Sequence, residues 1–94
     1  DMMIIRGVNV YPSAIEQILR GFPEVVEYRM TAKKRGQMDE LAIEVEDQLG
    51  RPKRIAEELQ LRLGLHVEVL VAPPLSLPRS EGKGLRFVDQ RGGS

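Results

Sequence analysis

Apolar and polar residues follow one another along this chain in segments of changing period, and each change of period marks an element. Met2-Met3-Ile4-Ile5 is a short apolar run of strand character. It gives way at Arg6-Gly7-Val8-Asn9-Val10 to a loop, whose glycine stands where the backbone must turn or where another group must approach closely. Tyr11-Pro12-Ser13 supplies a helix start, since proline is tolerated in the first turn. Ile15, Ile18, Leu19 and Phe22 then recur at i, i+3, i+4 and i+7, which predicts an amphipathic helix ending near Gly21, with Pro23 as the stop. Val25 to Lys33 reads as a strand, and Leu41-Ala42-Ile43-Glu44-Val45-Glu46 alternates as a strand buried on one face. The polar stretch Lys34 to Asp39 joins the two as an antiparallel hairpin. Gly50-Arg51-Pro52 opens a second helix with Ile55, Ala56, Leu59 and Leu63 as its buried stripe and Gly64 just past its end. Val67 to Val71 is a further strand, Pro73 to Gly84 an ordered but irregular loop, Leu85 to Asp89 a last short strand, and Arg91 to Ser94 a frayed tail. The order β-α-β-β-α-β predicts a small α+β sandwich, a mainly antiparallel sheet with two helices.

Length and charge narrow what such a sandwich can do. With 94 residues, 41% of them hydrophobic and 30% charged, the chain is expected to be one globular domain spanning 1–94. A domain of this size buries only about 60–65% of its unfolded surface and has little room for a two-substrate active site, so complex chemistry requires a partner domain. Fourteen Lys and Arg balance fourteen Asp and Glu, and there are two Tyr, two Phe and no Trp, which argues against a nucleic-acid or anionic-membrane partner. The absence of cysteine excludes disulfides, thiol nucleophiles and cysteine zinc sites, and it fits a reducing compartment such as the cytoplasm. No apolar run approaches the ~20 residues of a membrane span. Asp1-Met2-Met3 is neither a signal peptide nor a start, so the chain is expected to be a piece of something longer.

Most candidate chemistry fails on spacing. Gly82-Lys83 invites comparison with a phosphate loop, but Gly84 occupies the Ser/Thr position and Leu77 the position of the first glycine. The dinucleotide fingerprint fails at Phe87. His66 is the only histidine, which removes histidine metal clusters and favours an ordinary strand-end residue. Asp39/Glu40 and Glu44/Glu46 read as the solvated face of a hairpin, and Arg91-Gly92-Gly93 is a single copy of an RNA-binding tripeptide in a neutral chain. Two features survive. Lys83 stands between Gly82 and Gly84, which can carry an ammonium on a thin backbone into a crowded anionic site. Arg6-Gly7-Val8-Asn9 can press its backbone against a ligand.

These two features fall inside longer blocks. Asp1-Met2-Met3-Ile4-Ile5-Arg6-Gly7-Val8-Asn9-Val10-Tyr11-Pro12-Ser13-Ala14-Ile15-Glu16 resembles the start of the C-terminal domain of adenylate-forming acyl-CoA ligases, in their phenylacetate-CoA ligase branch. Ser76-Leu77-Pro78-Arg79-Ser80-Glu81-Gly82-Lys83 is similar to the closing lysine motif of that family, and Met38-Asp39-Glu40-Leu41 to its hairpin. The resemblance runs from Asp1 to about Arg91. It implies a two-step reaction in which a carboxylic acid and ATP give an acyl-adenylate, and coenzyme A then displaces AMP to give a thioester. A large N-terminal domain, expected as the partner, holds ATP, Mg2+ and the aryl acid, while the small C-terminal domain turns to present a different face for each step.

On that resemblance Lys83 is the catalytic lysine of the first step, where a fixed ammonium offsets the charge gathering between carboxylate and α-phosphate. Pro78, Arg79, Ser80, Gly82 and Gly84 support its loop, although relatives often carry alanine or another residue where Gly84 stands. Arg6, Gly7, Val8 and Asn9 line the tunnel for the pantetheine arm of CoA in the second step. Asp1 matches the second Asp of a hinge pattern, which places residues 1–10 next to the hinge. No metal ligand is expected from this chain, none of the cofactors is expected to bind tightly to it alone, and a homodimer is possible. The rival expectation is a free-standing α+β module that binds a small ligand or dimerises through its sheet, an analogy of fold alone.

Overall fold

In the computed structural model, which describes residues 2–79 and 86–92, the chain forms β1 (Met3–Ile5), β2 (Val8–Val10), α1 (Pro12–Leu19), β3 (Val25–Arg35), β4 (Met38–Asp47), α2 (Pro52–Leu63), β5 (Glu68–Val71) and β6 (Phe87–Asp89). The long β3–β4 hairpin organises the rest. Its register places Tyr28 opposite Val45, Met30 opposite Ile43 and Ala32 opposite Leu41. These six side chains face one way and are buried with Ile15, Ile18 and Leu19 of α1 and Ile55 and Leu59 of α2. Both helices therefore cover one face of the sheet, and the core is a single cluster between the two layers. On the other face Arg29 stands opposite Glu44 and Lys33 opposite Glu40, the polar half of the strand alternation.

The four-stranded sheet has the order β5-β4-β3-β6. Its central ladder is antiparallel, and both outer strands run parallel to their neighbours, β5 to β4 and β6 to β3. The sheet is thus mixed. For β5 the reason is its connection: α2 carries the chain back along the sheet, so the next strand starts from the same end as β4. Gly64 closes α2 at φ +71°, in the left-handed region, and its N–H donates to the Gln60 carbonyl at 2.8 Å.

The segment expected as a loop after the first strand is a second hairpin. Ile5 pairs with Val8, leaving only Arg6 and Gly7 in the turn, at φ +51° and +80°. Two successive positive φ angles are the type I′ pattern, whose twist matches the strands it joins. Arg91, expected in a frayed tail, is instead held by ion pairs to Asp89 at 2.9 Å and Asp39 at 3.0 Å. Among the described residues no helix is long and apolar enough to cross a membrane.

Candidate functional site

The Gly7 turn lies where the small hairpin meets the open end of the large one. Ile4, Arg6, Gly7, Lys34, Met38 and Asp39 line a groove of about 350 Å3 there. Arg6, Gly7 and Asn9 are exposed, while Val8 packs against the core and anchors the turn. A Cβ placed on Gly7 would meet nothing within 4 Å among the described residues. Its φ of +80° alone accounts for glycine inside the domain, and the space before it is open. Asp39 fixes the floor of the groove. Burial alone would raise its carboxyl, but the hydrogen bond from Arg91, the Ile4 N–H and the neighbouring Lys34 and Arg91 charges hold it below the usual carboxylate range. The Lys34 Nζ is 3.5 Å from Oδ1, an ion pair without a close hydrogen bond.

The second site lies at Arg79, four residues before Lys83 in the sequence. After β5 the chain turns onto the polar face of the sheet, where the N–H groups of Leu75 and Leu77 each donate to the Glu46 carboxylate at 2.9 Å. Arg79 grips both oxygens of the same carboxylate at 2.8 Å, the two-pronged geometry that suits a guanidinium. Glu46 is only 3% exposed. The Arg79 hydrogen bonds, opposed by burial and assisted by the Leu77 and Leu75 N–H groups, bring its carboxyl down to about 2, so it remains ionised. Leu77 is buried beneath this segment, and Pro78 is exposed beside it.

On the far side of the lysine segment, Arg86 donates through Nε to Glu27 at 2.7 Å and lies over the Tyr28 ring, 4.8 Å from its centroid. The Met30 N–H donates to the Arg86 carbonyl at 2.7 Å and starts the β3–β6 pairing. Glu27 is 4% exposed and stands directly opposite Glu46 in the β3–β4 register.

Glu46 therefore corrects the expectation of a solvated hairpin face. Glu44 keeps that character, half-exposed and paired with Arg29 at 2.9 Å, but Glu46 is buried because a segment 29 to 33 residues later folds onto it. Asp39 is likewise largely covered, through Arg91. The residue types of Glu27 and Arg86 give no sign of a site, and that of Glu46 suggests only a solvated strand face. A signal was nonetheless present: a tight turn at Gly36-Gln37 puts Glu27 opposite Glu46, and two like charges facing each other across a sheet require compensation.

Asp47, next along β4, holds the other connection. It accepts from the N–H groups of Leu49 and Arg51 and from both terminal nitrogens of Arg54, at 2.7 and 3.0 Å, and its carboxyl is brought down to about 2 chiefly by Arg54. His66 is exposed just before β5, on a polar groove that includes Arg6, Lys33 and Glu40. Asp1, Ser80, Gly82, Lys83 and Gly84 lie outside the described residues.

The two sites are well separated. The Gly7 groove includes Met38 at the start of β4, and Arg79 binds Glu46 eight residues along the same strand. At ~3.4 Å per residue Met38 and Glu46 are about 27 Å apart, which puts the Gly7 groove and the Arg79 anchor towards opposite ends of β4.

The family model described as the AMP-binding enzyme C-terminal domain matches residues 7–91, which run from Gly7 through Glu46, Arg79 and Arg86. The chain belongs to this family. A phenylacetate-coenzyme A ligase of Thermus thermophilus is 35% identical over 94% of the chain. Of that relative's length this AMP-binding enzyme C-terminal domain spans about a quarter, 25%. The crystal structure of a domain of phenylacetate-coenzyme A ligase from Bacteroides vulgatus matches with a TM-score of 0.76 and 31% identity, over 100% of this chain and 96% of that one. A 2-hydroxyisobutyryl-CoA ligase matches in two states. With 2-HIB-AMP and CoA in its thioesterification state, the TM-score is 0.81 at 28% identity over 98% of this chain and 22% of that one. With 2-HIB-AMP in its postadenylation state, the TM-score is 0.82 at 29% identity over 97% of this chain and 22% of that one.

Proposed function

We propose that this AMP-binding enzyme C-terminal domain is the moving part of an ATP-dependent phenylacetate-CoA ligase, and that it offers its two separated sites to a large N-terminal domain in turn. The observation that supports this reading is that the Gly7 turn and Arg79, four residues before Lys83 in the sequence, are anchored about 27 Å apart along β4, so that one domain can offer a different end for each step. The ligase names of the relatives supply the chemistry.

In the first step the carboxylate of phenylacetate attacks the α-phosphorus of ATP, the phosphoanhydride bond breaks and pyrophosphate leaves. Lys83 places its ammonium against the charge that gathers on the two reacting groups, which stabilises the transition state more than the separate anions. In the second step the thiol of CoA gives up its proton and attacks the acyl carbonyl, and AMP leaves. Gly7 then faces the reacting centre, and the open space before it admits the pantetheine arm. Arg6 and Asn9 are exposed on the same turn and Val8 holds it to the core. In this reading the magnesium that accompanies ATP is held by the large N-terminal domain. The exposed Val26, Val71 and Leu75 near Arg79 offer apolar surface to the partner domain. In this reading the ligase works in the cytoplasm.

The test is direct. The full-length ligase, given phenylacetate, ATP and CoA, should release AMP and form phenylacetyl-CoA, with phenylacetate used more efficiently than acetate or a long-chain fatty acid. Thioester formation with none of these acids contradicts the ligase reading, and a preference for another acid contradicts phenylacetate alone.

A further inference from the structure

We infer that the facing carboxylates Glu27 and Glu46, with Arg86 and Arg79, are a positioning device for Lys83, because they fix the chain on both sides of it in the sequence. Two observations lead there. The first is that both glutamates are buried on what is otherwise the polar face of the sheet, and that they stand directly opposite one another. Like charges in that position destabilise a sheet unless each is neutralised. The second is where the neutralising charges come from. Arg79 lies four residues before Lys83 in the sequence and Arg86 three residues after it. The chain enters the lysine segment from one of the facing carboxylates and leaves it at the other.

Each attachment has more than one point of contact. Glu46 takes both prongs of Arg79 and two backbone N–H groups, from Leu75 and Leu77, so it fixes the direction of the entering chain as well as its place. Arg86 is fixed by Glu27, by the Tyr28 ring and by the hydrogen bond from Met30 to its carbonyl. The neighbouring strands β3 and β4, which carry the carboxylates, are the longest among the described residues. Side chains borne on such strands place their partners more precisely than loop residues do. None of the four residues is assigned contact with substrate. They act through Lys83, and misplacing a reacting group by about 1 Å can cost on the order of 100-fold in rate.

The inference rests on the proposed role of Lys83, and the experiment separates the two. In the full-length ligase, adenylation is followed as pyrophosphate release and thioester formation as turnover of pre-formed phenylacetyl-adenylate with CoA. Lys83→Ala, Arg79→Ala, Arg79→Lys and Arg86→Ala are compared with the parent. Arg79→Ala and Arg86→Ala should each lower kcat for adenylation by about 10- to 100-fold, with KM for ATP and phenylacetate within about threefold and thioester formation unchanged. Arg79→Lys should recover part of the loss, since it restores the charge without the two-pronged grip. The thioester reaction serves as the control for folding. If Lys83→Ala abolishes adenylation while both arginine variants leave it intact, or lower both half-reactions equally, the positioning inference is overturned and the role of Lys83 stands. If Lys83→Ala leaves adenylation intact, the role of Lys83 falls and the inference falls with it.

Discussion

Gly7 occupies a turn position at φ +80°, and none of the described residues comes within 4 Å of where a Cβ would sit, so its backbone demand and any demand for space can be measured apart. An alanine at such a φ strains the backbone by about 1–2 kcal/mol, which unfolding of the isolated 94-residue chain would report. A side chain that reaches into the space beyond the turn should act on the reaction as well. Gly7→Leu in the full-length ligase is expected to slow thioester formation by about 10-fold or more, and to leave adenylation within about twofold. Equal losses in the two half-reactions would show that the turn matters only for folding. The need for glycine was legible from the residues Arg6-Gly7, but the hairpin around them was not. The residue pair Arg-Gly lacks the Asn-Gly or Asp-Gly signature of a type I′ turn, and Arg6 adopts φ +51° without being a residue that favours it.

At the scale of the element, the end of β4 carries two consecutive buried carboxylates that organise two different connections. Glu46 receives the segment leading to Lys83, and Asp47 receives the turn into α2. Both carboxyls are brought to about 2, from ordinary values of 4.5 and 3.8. The folded chain then binds fewer protons than the unfolded one, so their stabilisation is complete above about 4.5 and is lost as pH falls from there towards about 2. Melting temperatures of the 94-residue chain should therefore drop across that window, and Glu46→Gln and Asp47→Asn should each flatten the drop while lowering stability at pH 7. An acid profile identical to the parent's in both variants would contradict these roles.

The elements themselves were largely legible. The periods of 3.6 and 2 reveal both helices and the central hairpin, because those patterns record which side of each element meets the core. The burial of Glu46 was not legible from its own neighbourhood. It follows from N–H groups and a guanidinium 29 to 33 residues away, and strand period alone reports which face a residue is on, not what later crosses that face. The parallel outer strands escape for a similar reason, since they depend on how α2 and the segment after β5 return the chain to the sheet.

For the whole molecule, small size sets the terms. One core between a helical layer and a sheet holds most of the buried apolar residues, and the domain measures 35 × 28 × 19 Å. A body of those dimensions can carry two sites about 27 Å apart on one strand, but it has no interior left in which to enclose adenylate and thiol together. In the proposed reading, rotation against a larger partner lets this domain serve both half-reactions, Lys83 in the first and Gly7 in the second. The most direct measurement of that division is Lys83→Ala in the full-length ligase, with the two half-reactions followed separately in single turnover. The account predicts a loss of about 100-fold or more in adenylation, the scale of removing one preorganised charge, with thioester formation from pre-formed adenylate within about threefold of the parent. Equal losses in both half-reactions, or no loss in either, would contradict it.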